Sequence, residues 1–183
     1  MQKRILIFSL AYFPFVGGAE VAVKEITDRI SDFEFDMITL KMKPELPKEE
    51  RLGSINVFRI AGTKLFFPFA ALFKALALHR KNNYFLVWAI MANRAGFAAL
   101  FFKILNPKIK FLLTLQEGDP FDYPQKRAGI LWPFVGPLFG KIFTKADYIQ
   151  AISNYLADWA KKMKAKCPVE VVPNGVDIKN FQF

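Results

Sequence analysis

Short β-prone runs alternate with helix-length segments along almost the whole chain, and nothing else in the sequence limits the fold as much. The runs fall at residues 3–9, 33–42, 55–60, 84–90, 110–115, 148–152 and 169–172. The first is a continuous apolar run, the pattern of a strand buried on both faces. After Gly17-Gly18, the apolar residues Ala19, Ala22, Val23, Ile26 and Ile30 recur at helical spacing. Further helices are expected at 65–79, beginning near Pro68, at 94–105, stopped by Asn106-Pro107, and at 154–166, capped by Ser153. Residues 128–145 are helical in composition but hold Pro133 and Pro137, which predicts a kink or a split. Residues 43–53 and 116–125 read as loops. Strands that alternate with helices predict an α/β fold: a Rossmann-like parallel sheet of about seven strands with helices on both faces.

The length of 183 residues suits one ordinary domain, expected at 1–172, with 173–183 starting a linker. Hydrophobic residues make up 53% of the chain, which excludes a disordered protein. A single cysteine, Cys167, rules out an intramolecular disulfide. The single histidine, His79, has no second His or Cys nearby, so no metal site is expected. The apolar stretch at the N-terminus lacks a small-residue cleavage site. The longest apolar region, 84–102, is interrupted by Asn93 and Arg94. A cytoplasmic protein that does not span the membrane is therefore expected.

The formal net charge of +10 implies an anionic partner. The basic residues are spread out and no RNA-binding or helix-turn-helix signature occurs, which argues against nucleic acid. Residues 64–76 and 131–143 combine large apolar side chains with lysine. Most of those aromatics belong in a core. Their excess over what one sheet face needs predicts a peripheral contact with anionic lipid.

Ligands of open α/β sheets lie at the carboxyl ends of the strands. Three segments there carry polar chemistry. Gly17 and Gly18 open a helix, where backbone N–H groups can meet a diphosphate; the bland reading is a packing turn. Gln116, Glu117 and Asp119 follow the fifth run and could orient a sugar hydroxyl or handle its proton; the bland reading is an acidic surface turn. Asn93 and Arg94 follow the fourth run, where Arg94 could meet a phosphate or simply start a helix.

Three segments in order resemble the N-terminal, acceptor-side domain of family 4 glycosyltransferases, which have the GT-B fold. They are Tyr12-Phe13-Pro14 with Val16-Gly17-Gly18-Ala19-Glu20, the run from Ala146 to Ser153, and Val171-Val172-Pro173-Asn174-Gly175-Val176-Asp177 followed by Phe181. The resemblance implies transfer of a sugar, of hexosyl type, from a nucleotide-diphosphate sugar to a hydroxyl acceptor with retained configuration, the acceptor being lipid-linked or a glycan. It implies that Gly17 and Gly18 face the donor diphosphate and that Asn174 and Gly175 form the interdomain connection. Gln116, Glu117 and Asp119 would then lie near the reacting sugar, and Glu20, Asn93 and Arg94 on the acceptor side. No metal and no cofactor is implied. Many members place a histidine where this chain has Gln116, which cannot titrate. The family's donor-binding cations and paired glutamates lie in a second, C-terminal domain, absent here, so the chain alone is expected to be inactive. The rival reading is a non-catalytic subunit that binds membrane and acceptor and partners a separate catalytic chain. A nucleotide-sugar epimerase shares the two-lobed architecture, but its usual catalytic carboxylates and histidines are not evident.

Overall fold

Leu6, Ile7 and Phe8 are successive residues and all three are fully buried. A strand hidden on both pleats must be central, and the computed structural model, which describes residues 2–175, places it so. This strand is β1 (Lys3–Phe8), followed by α1 (Gly18–Arg29), β2 (Phe33–Leu40), β3 (Glu49–Leu52) and β4 (Ile55–Ile60). Next come α2 (Phe67–Asn82), β5 (Leu86–Ile90), α3 (Arg94–Leu105) and β6 (Lys110–Leu115). The chain continues through α4 (Tyr123–Ala128), α5 (Trp132–Thr144), β7 (Tyr148–Ala151), α6 (Asn154–Lys162) and β8 (Val169–Val171). The strands form one sheet in the order β3-β4-β2-β1-β5-β6-β7-β8. Every pairing is parallel except β3 with β4.

The chain leaves β1 in one direction, through β2 to β4, and α2 carries it back to β5 on the other side of β1. The strand order therefore reverses between β1 and β5. That switch point opens a crevice at the carboxyl ends of the two strands.

The two faces are covered unequally. Ala71 and Ala75 of α2, Ala95, Ala98, Ala99 and Phe102 of α3, Phe139 and Phe143 of α5, and Leu156 and Trp159 of α6 share one core with Leu6, Phe8, Phe111 and Leu113. Each fully buried phenylalanine contributes roughly 1.5–3 kcal/mol. On the opposite face α1 supplies Ala19 and Val23 against Ile5, Ile7, Phe35, Met37 and Val57. Beyond α1, Leu112 and Tyr148 remain half-buried.

The structure adds an eighth strand to the seven expected. Residues 49–52 belong to the segment read as a loop, and they pair antiparallel to β4 at the sheet edge. Residues 123–128, partly within the segment expected to be a loop, form α4, and the helix expected from 128 breaks at a single 3₁₀ turn, Gly129–Leu131. Gly129 has a φ of +52° there, so the split falls at glycine and Pro133 sits within the first turn of α5. Ile30, expected on the core face of α1, lies past the helix end and is exposed. Thr27 takes the buried position, its hydroxyl donating to the Val23 carbonyl at 2.9 Å. Among the described residues no helix is long and apolar enough to cross a membrane.

At the amino ends of the strands, far from the crevice, the buried Asp36 collects donors. It accepts from Asn56 at 2.9 Å, Asn82 at 2.8 Å, the Tyr84 hydroxyl at 2.5 Å and Arg4 at 3.4 Å. Burial and the bond to Asp36 push the Tyr84 hydroxyl well above the ordinary phenol range. This cluster ties β1, β2, β4 and the segment entering β5 together.

Candidate functional site

Two loops flank the switch point, and each is held from an unexpected direction. The loop after β1 carries the two glycines, and Arg59 of β4 anchors it. The Arg59 side chain is 1% exposed; it ion-pairs with Glu50 of β3 and donates to the Phe13 carbonyl at 2.8 Å. Edge strand β3 thus fixes a loop three strands away. Neither Gly17 nor Gly18 adopts a positive φ. A Cβ at Gly18 would meet no atom within 4 Å. The fold itself therefore gives no reason for glycine at position 18. The N–H of Gly17 is already engaged, donating to Glu20 Oε2 at 2.9 Å, so Glu20 caps α1.

Glu117 joins the ends of β5 and β6. One carboxylate oxygen accepts from the backbone N–H of Ala92 and the other from that of Gln116, the latter at 2.9 Å. Ala92 follows Met91, whose φ of +72° is a strained conformation for a long side chain, costing about 1–2 kcal/mol. The strain persists because both neighbouring amides are spoken for: the Met91 N–H donates to the Thr114 carbonyl at 2.8 Å, and Ala92 to Glu117. Glu117 is half-buried as a residue, but its carboxyl group is turned inward. Desolvation pushes it up to about 7 despite the backbone hydrogen bonds that favour the anion. The nearby Asp119 charge adds to the rise.

Gln116 accepts from the Asn174 amide at 3.1 Å, while its own Nε2 is buried without a partner among the described residues. Below it a polar relay crosses the sheet. Trp88 donates to Thr114 at 2.6 Å, Thr114 to Gln150 at 3.1 Å, and Gln150 to the Val172 carbonyl at 3.0 Å. The chain leaving β8 is thereby fixed to the carboxyl ends of β5, β6 and β7. Asn174 and Gly175 are both exposed; Val176, Asp177 and Phe181 lie outside the described residues.

Beside these loops opens a cavity of about 490 Å³. Asn93, Arg94, Glu117 and Asp119 supply its polar lining. Phe97, Phe101, Trp132, Phe139 and Trp159 form its wall. The structure thus brings Glu117, Asp119, Asn93 and Arg94 to one cavity, whereas Gly17, Gly18 and Glu20 stay outside it, on the other flank of the switch point. Asn93 caps α3, its side chain accepting from Ala95 N–H at 2.8 Å. Arg127 of α4, which sequence reasoning missed, lines the same cavity as Arg94, close enough for its charge to lower the Arg94 pKa. Its only sequence signal lay in a short, proline-bearing segment.

The order of strands, the switch-point crevice and the cleft-side loops are those of a GT-B Rossmann-like lobe. Residues 16–180 match the model of Glycosyltransferase Family 4, and the chain belongs to that family. It is 25% identical, over its whole length, to half of the uncharacterized glycosyltransferase MJ1069 of Methanocaldococcus jannaschii. Its fold resembles that of sucrose-phosphate synthase from Thermosynechococcus elongatus, with a TM-score of 0.72 and 16% identity over 98% of this chain and 50% of that one. It also resembles UDP-glucose:anthocyanidin 3-O-glucosyltransferase in complex with UDP, with a TM-score of 0.63 and 13% identity over 100% of this chain and 55% of that one. The chain spans about half the length of these proteins.

Proposed function

We propose that this chain is the acceptor-side lobe of a glycosyltransferase that moves a hexosyl unit from a nucleotide-diphosphate sugar to a hydroxyl acceptor with retained configuration. The observation that carries this reading is Gly18. It begins a helix, has ordinary backbone angles and faces open space, so its missing side chain serves something that arrives from outside. A diphosphate approaching the first backbone N–H groups of α1 fits that need. The neighbour holding UDP supports a nucleotide as the donor's leaving half. Glu117, with its carboxyl pushed to about 7, and Asp119 supply carboxylates at the cavity where the acceptor hydroxyl would lie. Gln116 offers an unpartnered amide donor beside them. The leaving diphosphate is offset by helix N–H groups and by the cations of a second domain, without metal.

Work at the inner face of a membrane suits the exposed apolar residues Leu65, Phe66, Phe73, Ile130 and Phe134. The deciding experiment is a donor-hydrolysis screen across nucleotide sugars with the full-length protein. Hydrolysis of one donor, lost on Gly17→Val with Gly18→Val, supports the reading; unchanged turnover in that variant overturns the diphosphate assignment.

One observation favours a non-catalytic, acceptor-binding subunit instead. Both oxygens of Glu117 accept backbone N–H groups, and Gln116 cannot titrate. Turnover by the full-length protein decides against that alternative.

A further inference from the structure

Three buried positions alternate along β4: Ile55, Val57 and Arg59. The first two belong to the core under α1. The third places a guanidinium where the alternation calls for another apolar side chain. That side chain is 1% exposed, and taking such a charge out of water is costly. Glu50 of β3 balances it, and the Pro47 and Phe13 carbonyls accept from the guanidinium at 3.2 Å and 2.8 Å. Replacing a buried ion pair of this kind by apolar side chains is often neutral for stability, or even favourable. Stability alone therefore gives no reason for arginine here.

The planar fork reaches three segments at once: strand β3, the loop before it, and the loop after β1. Of these, the last leads to the switch point. Gly18, the first residue of α1, follows Phe13 by five residues. Around Phe13 the loop is tied down. Tyr12 is buried, the Phe15 N–H donates to the Tyr12 carbonyl at 3.2 Å, and the Lys43 ammonium lies 5.6 Å from the centre of the Phe15 ring. From Val16 to Gly18 the chain is exposed, and the Gly17 N–H is held by Glu20. The direction of the first N–H groups of α1 is thus set in two places. Ala19 and Val23 set it from beneath the helix, and Arg59 sets it upstream, where it grips the Phe13 carbonyl.

We propose that Arg59 is a positioning residue for the donor: paired with Glu50, it keeps the segment from Phe13 to Gly18 on the course that presents the first N–H groups of α1 to the diphosphate. This rests on reading that helix start as the diphosphate site. Arg59 touches no ligand in this scheme; it acts through the backbone of Phe13. Edge strand β3 gains a role from it, since Glu50 supplies the counter-charge that lets a guanidinium stand at this depth.

The test is calorimetric titration of the full-length protein with inorganic pyrophosphate, which reads affinity and number of sites separately. Glu50→Gln removes the counter-charge and should weaken binding about tenfold or more, because a shift of about 1 Å spoils preorganised contacts. The same variant makes the protein more positive, so long-range electrostatics alone would tighten the binding. Arg59→Met with Glu50→Leu replaces the pair by apolar side chains; it should melt about as high as the wild type and still lose affinity by the same order. A purely structural role would lower the number of sites and leave the affinity of the folded molecules unchanged. Lys74→Met breaks the other ion pair of β3, Lys74 with Glu49, and should stay within about twofold of wild-type affinity. Wild-type affinity in Glu50→Gln and in the double variant overturns the proposal, as does an equal loss in Lys74→Met. Glu50 is half-buried on an edge strand, so its variant keeps the test valid if the double variant misfolds. A wild type that binds no pyrophosphate defeats the diphosphate reading and this proposal with it; unchanged affinity in the variants defeats this proposal alone.

Discussion

The side-chain amide of Asn174 donates to Oε1 of Gln116 at 3.1 Å, joining residues 58 positions apart. One is the last polar residue before the chain leaves the lobe's described part; the other stands at the carboxyl end of β6, beside the cavity. The bond makes the position of the segment after β8 depend on the loop that follows β6. Asn174→Ala removes an exposed hydrogen bond worth about 0.5–1.5 kcal/mol. We expect kcat/KM of the full-length enzyme to fall about three- to tenfold while the melting temperature barely moves. A variant with unchanged kcat/KM would show that the link has no part in turnover.

Glu117 predicts a pH dependence of stability. Its folded pKa, about 7, is above its ordinary value of 4.5, because burial disfavours the charged form. Such a group adds stability that is fully present below its unfolded pKa and is lost as pH rises through its folded pKa. Between pH 5 and pH 8 the wild type should therefore lose melting temperature relative to Glu117→Gln, which carries no charge at either pH. Thermal melts of both proteins at the two pH values check this. Parallel pH profiles would mean that the carboxyl is not desolvated. If Glu117 takes the acceptor proton, the same group sets an acid limb near pH 7 in the rate, and that limb vanishes in Glu117→Gln.

The Asp36 cluster predicts the opposite balance, a loss of stability without a loss of chemistry. Asp36 is 1% exposed and accepts from four side chains at the end of the sheet away from the cavity. Asp36→Ala strands these donors and should cost about 3 kcal/mol. For a domain of this size that is roughly 6–12 °C in Tm. Activity per folded molecule should stay within about twofold. A fall in activity beyond that would show that the two ends of the sheet are coupled.

The parts of the fold legible in the sequence are those written as long apolar runs. β1, β2, β5 and β6 are buried along most of their length because both faces of a central parallel strand are covered, while β4, β7 and β8 keep half-buried or exposed positions and are legible only as short β-prone segments between turns. β3 has the sequence Glu49-Glu50-Arg51-Leu52, which carries no such signal. It is an edge strand, and charge there keeps the edge from pairing with other chains. The helix α4 was hidden by Pro124 and its polar residues, since it is too short for periodicity to show. With α4 went Arg127 and part of the cavity that α4 and α5 line together with α3. Residue type alone marked Gln116, Glu117, Asp119, Asn93 and Arg94 as candidates. It could not tell that Glu117 would be tied to two backbone amides or that Asn93 and Glu20 would be helix caps, because those roles depend on contacts across strands and turns.

Gly18 separates folding from ligand approach most cleanly. It is the first residue of α1, its φ is not positive, and an added Cβ would touch nothing within 4 Å. Replacing glycine by alanine at a compatible helical position stabilises a protein by about 0.4–1 kcal/mol, chiefly by restricting the unfolded chain. Gly18→Ala should therefore raise Tm by about 1–4 °C. If the donor diphosphate reaches the backbone there, the same methyl group occupies its path, and the donor KM should rise about tenfold or more with kcat less affected. A more stable protein with a weakened donor site is the expected result. A more stable protein with an unchanged donor KM would move the diphosphate elsewhere on the lobe.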